Sequence, residues 1–216
     1  LVGSEMCIND RDTSVYPLYL ENCHGFSPTK RPVDNPSNAA FNGEITMVDM
    51  EAISHNAMKQ FDKTGHMAAR AELITTWHAV GRGGEVKFNN YSDWHFDSYM
   101  CVADTGWIDV KESNSHAMAM MPHRRNYKVC WVHAMACFYA VDAGLWRSPK
   151  EEATCAQSMF PKLHAVTDRT VTKRLTKNIR KYIPPEVSDS VRNSFSSRSM
   201  RKAALNFMAL HPVTGC

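Results

Sequence analysis

The hydrophobic period of this chain changes twice, and that alternation limits the folds open to it more than any other feature. From Ile45 to Ala79 apolar residues recur at helical spacing; from Ser92 to Met121 they come in short runs; beyond Pro122 helical spacing returns. The order is therefore helices, a small antiparallel sheet, then helices, a mainly α fold of α+β type. Residues 1–44 carry Pro17, Pro28, Pro32 and Pro36 without sustained periodicity and read as an irregular arm or linker, so one domain spans 45–216.

Local signals place the elements. Thr46 with Asp49 and Glu51 marks a helix start, followed by Met50, Ile53, Ala57, Met58 and Phe61, with a break at Gly65. A second helix is expected over 66–79, with Met67, Ala71, Ile74 and Trp77 as its apolar stripe, ended by Gly81, Gly83 and Gly84 around Arg82. Three strands are expected at 99–103, 107–110 and 116–121, separated by turns at Asp104-Thr105-Gly106 and Glu112-Ser113-Asn114. Further helices are expected over 130–141, closed by Gly144, over 169–182, stopped by Pro184-Pro185, and over 199–210.

Composition removes several function classes. The longest apolar stretch, 129–141, falls short of the roughly 20 residues a bilayer requires, so no membrane partner is expected. Leu1 to Asp10 lacks the pattern of a signal peptide, and the chain reads as a fragment. Seven cysteines form no CxxC pair, which points to a reducing, intracellular setting rather than a disulfide framework. Cys130, His133 and Cys137 share a helical face and suggest a metal-binding regulator as a minor alternative to thiols packed in a core; no metal is assigned.

Charge is unevenly spread. Between Lys162 and Lys202 eleven Lys or Arg face only Asp168, Glu186 and Asp189, while the rest of the chain is net acidic. Lys173, Arg174 and Lys177 in that block suit a polyanion such as double-stranded DNA, although a solvated helix face has the same composition.

Three segments carry the chemistry. The first is Ala79-Val80-Gly81-Arg82-Gly83-Gly84-Glu85-Val86, followed by Tyr91-Ser92-Asp93-Trp94. The second is Trp107-Ile108-Asp109-Val110-Lys111, a turn, and His116 to Pro122; the third is Ser197-Arg198-Ser199-Met200-Arg201-Lys202-Ala203-Ala204. Arginine suits phosphate because its planar fork donates paired hydrogen bonds and keeps its charge. In their order these segments resemble the catalytic domain of tyrosine recombinases, or phage-type integrases. The likeness runs over about 45–210 and is strongest to the eukaryotic crypton-like mobile-element group, to which the stretch Tyr127 to Ala134 is also similar.

The resemblance implies that Arg82 and Arg201 grip the scissile phosphate, that Lys111 protonates the leaving 5′ oxygen, and that Glu85 plays a structural part. Arg198 stands where many members have histidine; it keeps a hydrogen-bond donor but is no base near neutral pH. The family's fold, its use of a 3′-phosphotyrosyl intermediate without metal or small-molecule cofactor, DNA recombination and integration as its activity, and assembly as a homotetramer on DNA are implied likewise, with a nuclear location if the source is eukaryotic. The family's nucleophilic tyrosine lies downstream of the second arginine, where this sequence has none, so the residues given are expected to bind DNA phosphates without cleaving them. A degenerate, non-catalytic DNA-binding remnant is the alternative.

Overall fold

A computed structural model describes residues 45–63, 65–90, 93–97, 102–109, 114–120, 122–123, 125–141 and 158–210. Helices dominate them. In chain order they are α1 (Met47–Met58), α2 (His66–His78), a 3-10 turn (Glu85–Phe88), β1 (Trp94–Asp97), β2 (Val102–Asp109), β3 (Asn114–Met120), α3 (Trp131–Val141), α4 (Pro161–His164), α5 (Asp168–Tyr182), α6 (Asp189–Ser194) and α7 (Ser197–Leu210). The arm expected over 1–44 lies outside the described residues.

Helix α1 begins as its sequence dictates. Thr46 and Asp49 form a reciprocal capping box, the Thr46 hydroxyl accepting from Asp49 N (3.2 Å) and the Asp49 carboxylate accepting from Thr46 N (2.8 Å). The helix ends at Met58, so Phe61, expected on its apolar stripe, falls beyond the last turn and stands 63% exposed.

Helix α2 is the axis of the molecule. Every residue from His66 to Trp77 is buried, because α1, α3, α5 and α7 all pack on it. The one-sided stripe of Met67, Ala71, Ile74 and Trp77 is thus only part of a helix enclosed all round. Enclosure is possible because its polar residues find partners: Thr75 Oγ1 accepts from Trp131 Nε1 (2.9 Å), Thr76 Oγ1 donates to the Glu72 carbonyl (2.7 Å), and Arg70 and Glu72 make the bonds described below.

The strands form one antiparallel sheet in the order β1-β2-β3. Asp104-Thr105-Gly106, expected to turn, instead lies within the central strand. Thr105 pairs with Trp94 and Met118, Asp104 with His95 and Ala119, and Gly106 with Ala117. Ladder partners on both sides outweigh the local turn preference of these residues. Residues 99–101, 110–113 and 121 lie outside the described residues. The sheet joins the core through Met120, buried on β3, and through Trp94, stacked on Trp131 of α3 with ring centroids 4.6 Å apart.

Helix α5 forms where a basic helix was expected, and it is amphipathic: Val171, Leu175, Ile179 and Tyr182 face inward and Lys173 and Lys177 outward. Two short helices, α4 and α6, span too few residues to show a period in sequence. No described helix is long and apolar enough to cross a membrane.

Candidate functional site

The segment after α2 is shaped by a helix-terminating motif with an unusual residue in its key position. Gly81 N donates to the Thr76 carbonyl (3.1 Å) and Val80 N to the Trp77 carbonyl (3.1 Å), the paired bonds of a Schellman motif. That motif needs a left-handed residue, ordinarily glycine, and here Val80 takes it at φ +49°. The neighbouring glycines serve another purpose. A Cβ on Gly83 would lie 3.1 Å from Thr172 Oγ1 and 3.3 Å from Ser197 Oγ, and one on Gly84 would lie 2.9 Å from Asp168 Cβ. Gly83 and Gly84 let the turn press against the starts of α5 and α7.

Arg82 sits on this turn with its side chain 30% exposed. Glu85, almost fully buried, accepts from Arg82 N (2.7 Å) and from Arg82 Nη1 (3.1 Å), so one carboxylate fixes both the turn and the guanidinium. Arg201, from the second turn of α7, donates from Nε to the Val80 carbonyl (2.9 Å). Two segments about 120 positions apart are thereby joined at the strained residue, and the half-buried Arg201 is brought to the turn that carries Arg82. The start of α7 is set by Ser196 and Ser199, each hydroxyl accepting from the other's backbone N–H (2.6 and 3.2 Å), and by Ser197 N donating to Thr176 Oγ1 on α5 (3.2 Å).

The remaining sequence candidates scatter. Arg198 is exposed on the first turn of α7. Lys111 lies outside the described residues, between β2 and β3. Lys173 and Lys177 are exposed on α5, but Arg174, grouped with them by sequence, points the other way. Its Nε and Nη2 donate to the two Glu72 carboxylate oxygens (3.0 and 2.7 Å), and the Glu72 side chain is fully buried. The geometry gives Arg174 an internal, charge-neutralising task. Lys87, not singled out by sequence, supports the same turn through an ion pair with Asp168 (2.5 Å) and a bond to the Val166 carbonyl (3.2 Å).

The trio Cys130, His133 and Cys137 does not converge as a metal site, and among the described residues no group of three or more His, Cys, Asp or Glu does so. Cys130 Sγ accepts from His123 N and His133 N (3.3 and 3.5 Å), while Cys137 Sγ lies against the His133 ring. The Arg70 cation beside both thiols opposes a second positive charge there. Burial, with Arg70 adding to it, lowers the His133 pKa from its ordinary value.

No known family model, curated protein or solved structure matches the chain. The site therefore rests on its own geometry. That geometry provides two arginines from distant segments, a carboxylate orienting one of them, and a partly open turn suited to an oxyanion such as a phosphodiester.

Proposed function

We propose that this chain is the phosphate-gripping part of a tyrosine recombinase-like domain that binds double-stranded DNA, with Arg82 and Arg201 on one phosphate and the exposed Lys173 and Lys177 following the backbone. The observation that carries the reading is the Arg201 Nε bond to the Val80 carbonyl, which joins the two arginine-bearing segments that the sequence resemblance pairs. Glu85 acts as the positioning residue for Arg82.

Strand cleavage, in this reading, belongs to a polypeptide that carries the nucleophilic tyrosine after Arg201, and recombination or integration by a tetramer follows from that. Tyr182 does not take the role: it is buried on α5 with its hydroxyl against His66 Nδ1 (3.1 Å). Lys111 is assigned to the leaving 5′ oxygen, and Arg198 to a hydrogen bond from the position where many members have histidine, by the resemblance alone.

The test is fluorescence anisotropy of a labelled duplex with Arg82→Ala, Arg201→Ala and, as a control, Lys128→Ala, each checked for folding by circular dichroism. Lys128 bonds the core through its main-chain carbonyl, which an alanine keeps. Each arginine variant is expected to lose roughly tenfold in affinity, the scale of one charge-assisted contact of about 1.5 kcal/mol. Equal effects at all three positions would sink the assignment.

A further inference from the structure

Arg70 is buried without residual exposure in the middle of α2. Nε donates to Ser54 Oγ (2.7 Å), and Nη2 donates to the main-chain carbonyls of Tyr127 (2.7 Å) and Lys128 (3.3 Å). These bonds tie α1, α2 and the turn before α3 together. Nη1, also buried, has no hydrogen-bond partner, and the guanidinium faces the Cys137 thiol with Cys130 nearby. A buried cation with an unused donor favours an anion beside it.

The two thiols differ in what they can do. Cys130 is buried and its sulfur already accepts two backbone N–H groups. Cys137 is half-buried, one turn beyond His133 on α3, with Sγ 3.7 Å from Nδ1 and 3.9 Å from Nε2. Cys137 thus has solvent access, a proton acceptor in contact and an unspent guanidinium N–H, the ingredients that turn a packing thiol into a nucleophile. Burial, and after it Arg70, lowers the His133 pKa, so the imidazole is neutral beside the thiol, and its proton acceptance is confined to the moment of transfer.

We infer that Cys137 is a modification site at which a small hydroperoxide, such as hydrogen peroxide, oxidises the thiol to a sulfenic acid held by Arg70. His133 takes the Cys137 proton, and the thiolate sulfur attacks one peroxide oxygen. The O–O bond breaks, sulfur loses two electrons to the peroxide, and the leaving hydroxide takes the proton from His133 and departs as water. The new S–O oxygen accepts from Arg70 Nη1. Cys130 does not resolve the product: seven residues along a helix separate the two Cα atoms by about 10 Å, against a disulfide limit of about 7 Å. The sulfenic acid therefore waits for an external thiol or a trapping reagent.

The experiment treats the full chain with hydrogen peroxide in the presence of dimedone and follows adduct formation by peptide-mapping mass spectrometry. Cys137 is expected to label on the order of tenfold faster than Cys130 or free cysteine, and His133→Asn to slow it by about tenfold. Arg70→Lys, which keeps the cation but not the fork, is expected to slow labelling as well while far-UV circular dichroism is unchanged. Should Arg70→Lys fail to fold, the half-buried His133 variant decides. Labelling of Cys137 no faster than that of free cysteine, or unchanged in His133→Asn, overturns the proposal.

Discussion

Replacing Arg174 by alanine separates its internal task from the DNA contact that its sequence neighbourhood suggests. The change removes two charge-assisted hydrogen bonds, of 3.0 and 2.7 Å, from a Glu72 carboxylate with no solvent exposure. Removing one partner of a buried ion pair costs about 3–5 kcal/mol, and because the Arg174 side chain is 31% exposed the lower figure applies. A domain has only about 5–15 kcal/mol in total, so this variant loses a large share of it. With a urea m-value of about 1–3 kcal/mol per M, the midpoint of unfolding falls by roughly 1–3 M. Lys173→Ala, on the exposed face one residue earlier, is expected to stay within about 0.5 kcal/mol of the parent. The pair Glu72→Leu with Arg174→Leu is expected to recover most of the loss, since apolar residues of similar size replace buried ion pairs at little cost. Urea melts followed by circular dichroism measure all three. An Arg174→Ala midpoint indistinguishable from that of Lys173→Ala would refute the reasoning.

Lys173→Ala and Lys177→Ala are each expected to reduce the slope of log affinity for duplex DNA against log salt by about 1; an unchanged slope returns both to a solvated helix face. Gly84→Ala is expected to destabilise the fold by about 1–3 kcal/mol in thermal or urea melts, because the added carbon meets Asp168 Cβ at 2.9 Å and must push α5 away from the Arg82 turn. His78 donates from Nε2 to the Val129 carbonyl (2.7 Å), and burial lowers its pKa below the ordinary 6.5. The unfolded chain then binds the proton more readily, so stability is full above about pH 6.5 and is lost as pH falls through the folded value. His78→Gln keeps a donor and is expected to flatten that acid loss, read as unfolding midpoint against pH, while His55, His123 and His133, shifted in the same direction, maintain the remainder.

Much of the helical part was legible in the sequence because its cause is local. The Thr46/Asp49 capping box, the Val171-Leu175-Ile179-Tyr182 stripe and the prolines after it specify α1 and α5 without reference to any distant residue. Where local and tertiary preferences disagreed, sequence reading failed in a consistent direction. Asp104-Thr105-Gly106 has turn chemistry, but a central strand paired on both sides overrides it. The glycines after α2 look like a helix stop, yet Val80 carries the left-handed conformation, and Gly83 and Gly84 are glycines because another helix lies against them.

The site divides along the same line. Arg82, Arg201 and Glu85 stand out in sequence because their residue types and spacing carry chemistry, and Glu85, three positions on, could be read as a local support for Arg82. That Arg201 meets the Val80 carbonyl, that Glu72 claims Arg174, and that Arg70 lies beside Cys137 depend on contacts across 121, 102 and 67 positions. No periodicity encodes such contacts, because Glu72, Thr75 and Thr76 would mark a solvent face, and Arg70 would reach solvent from the opposite side, on any helix not enclosed all round. Sequence by itself determined the longer helices and singled out the arginines whose type and spacing resemble a phosphate site. Tertiary structure alone decided which charges are spent inside the fold and which remain for a ligand, because burial and pairing are properties of the packed assembly of helices.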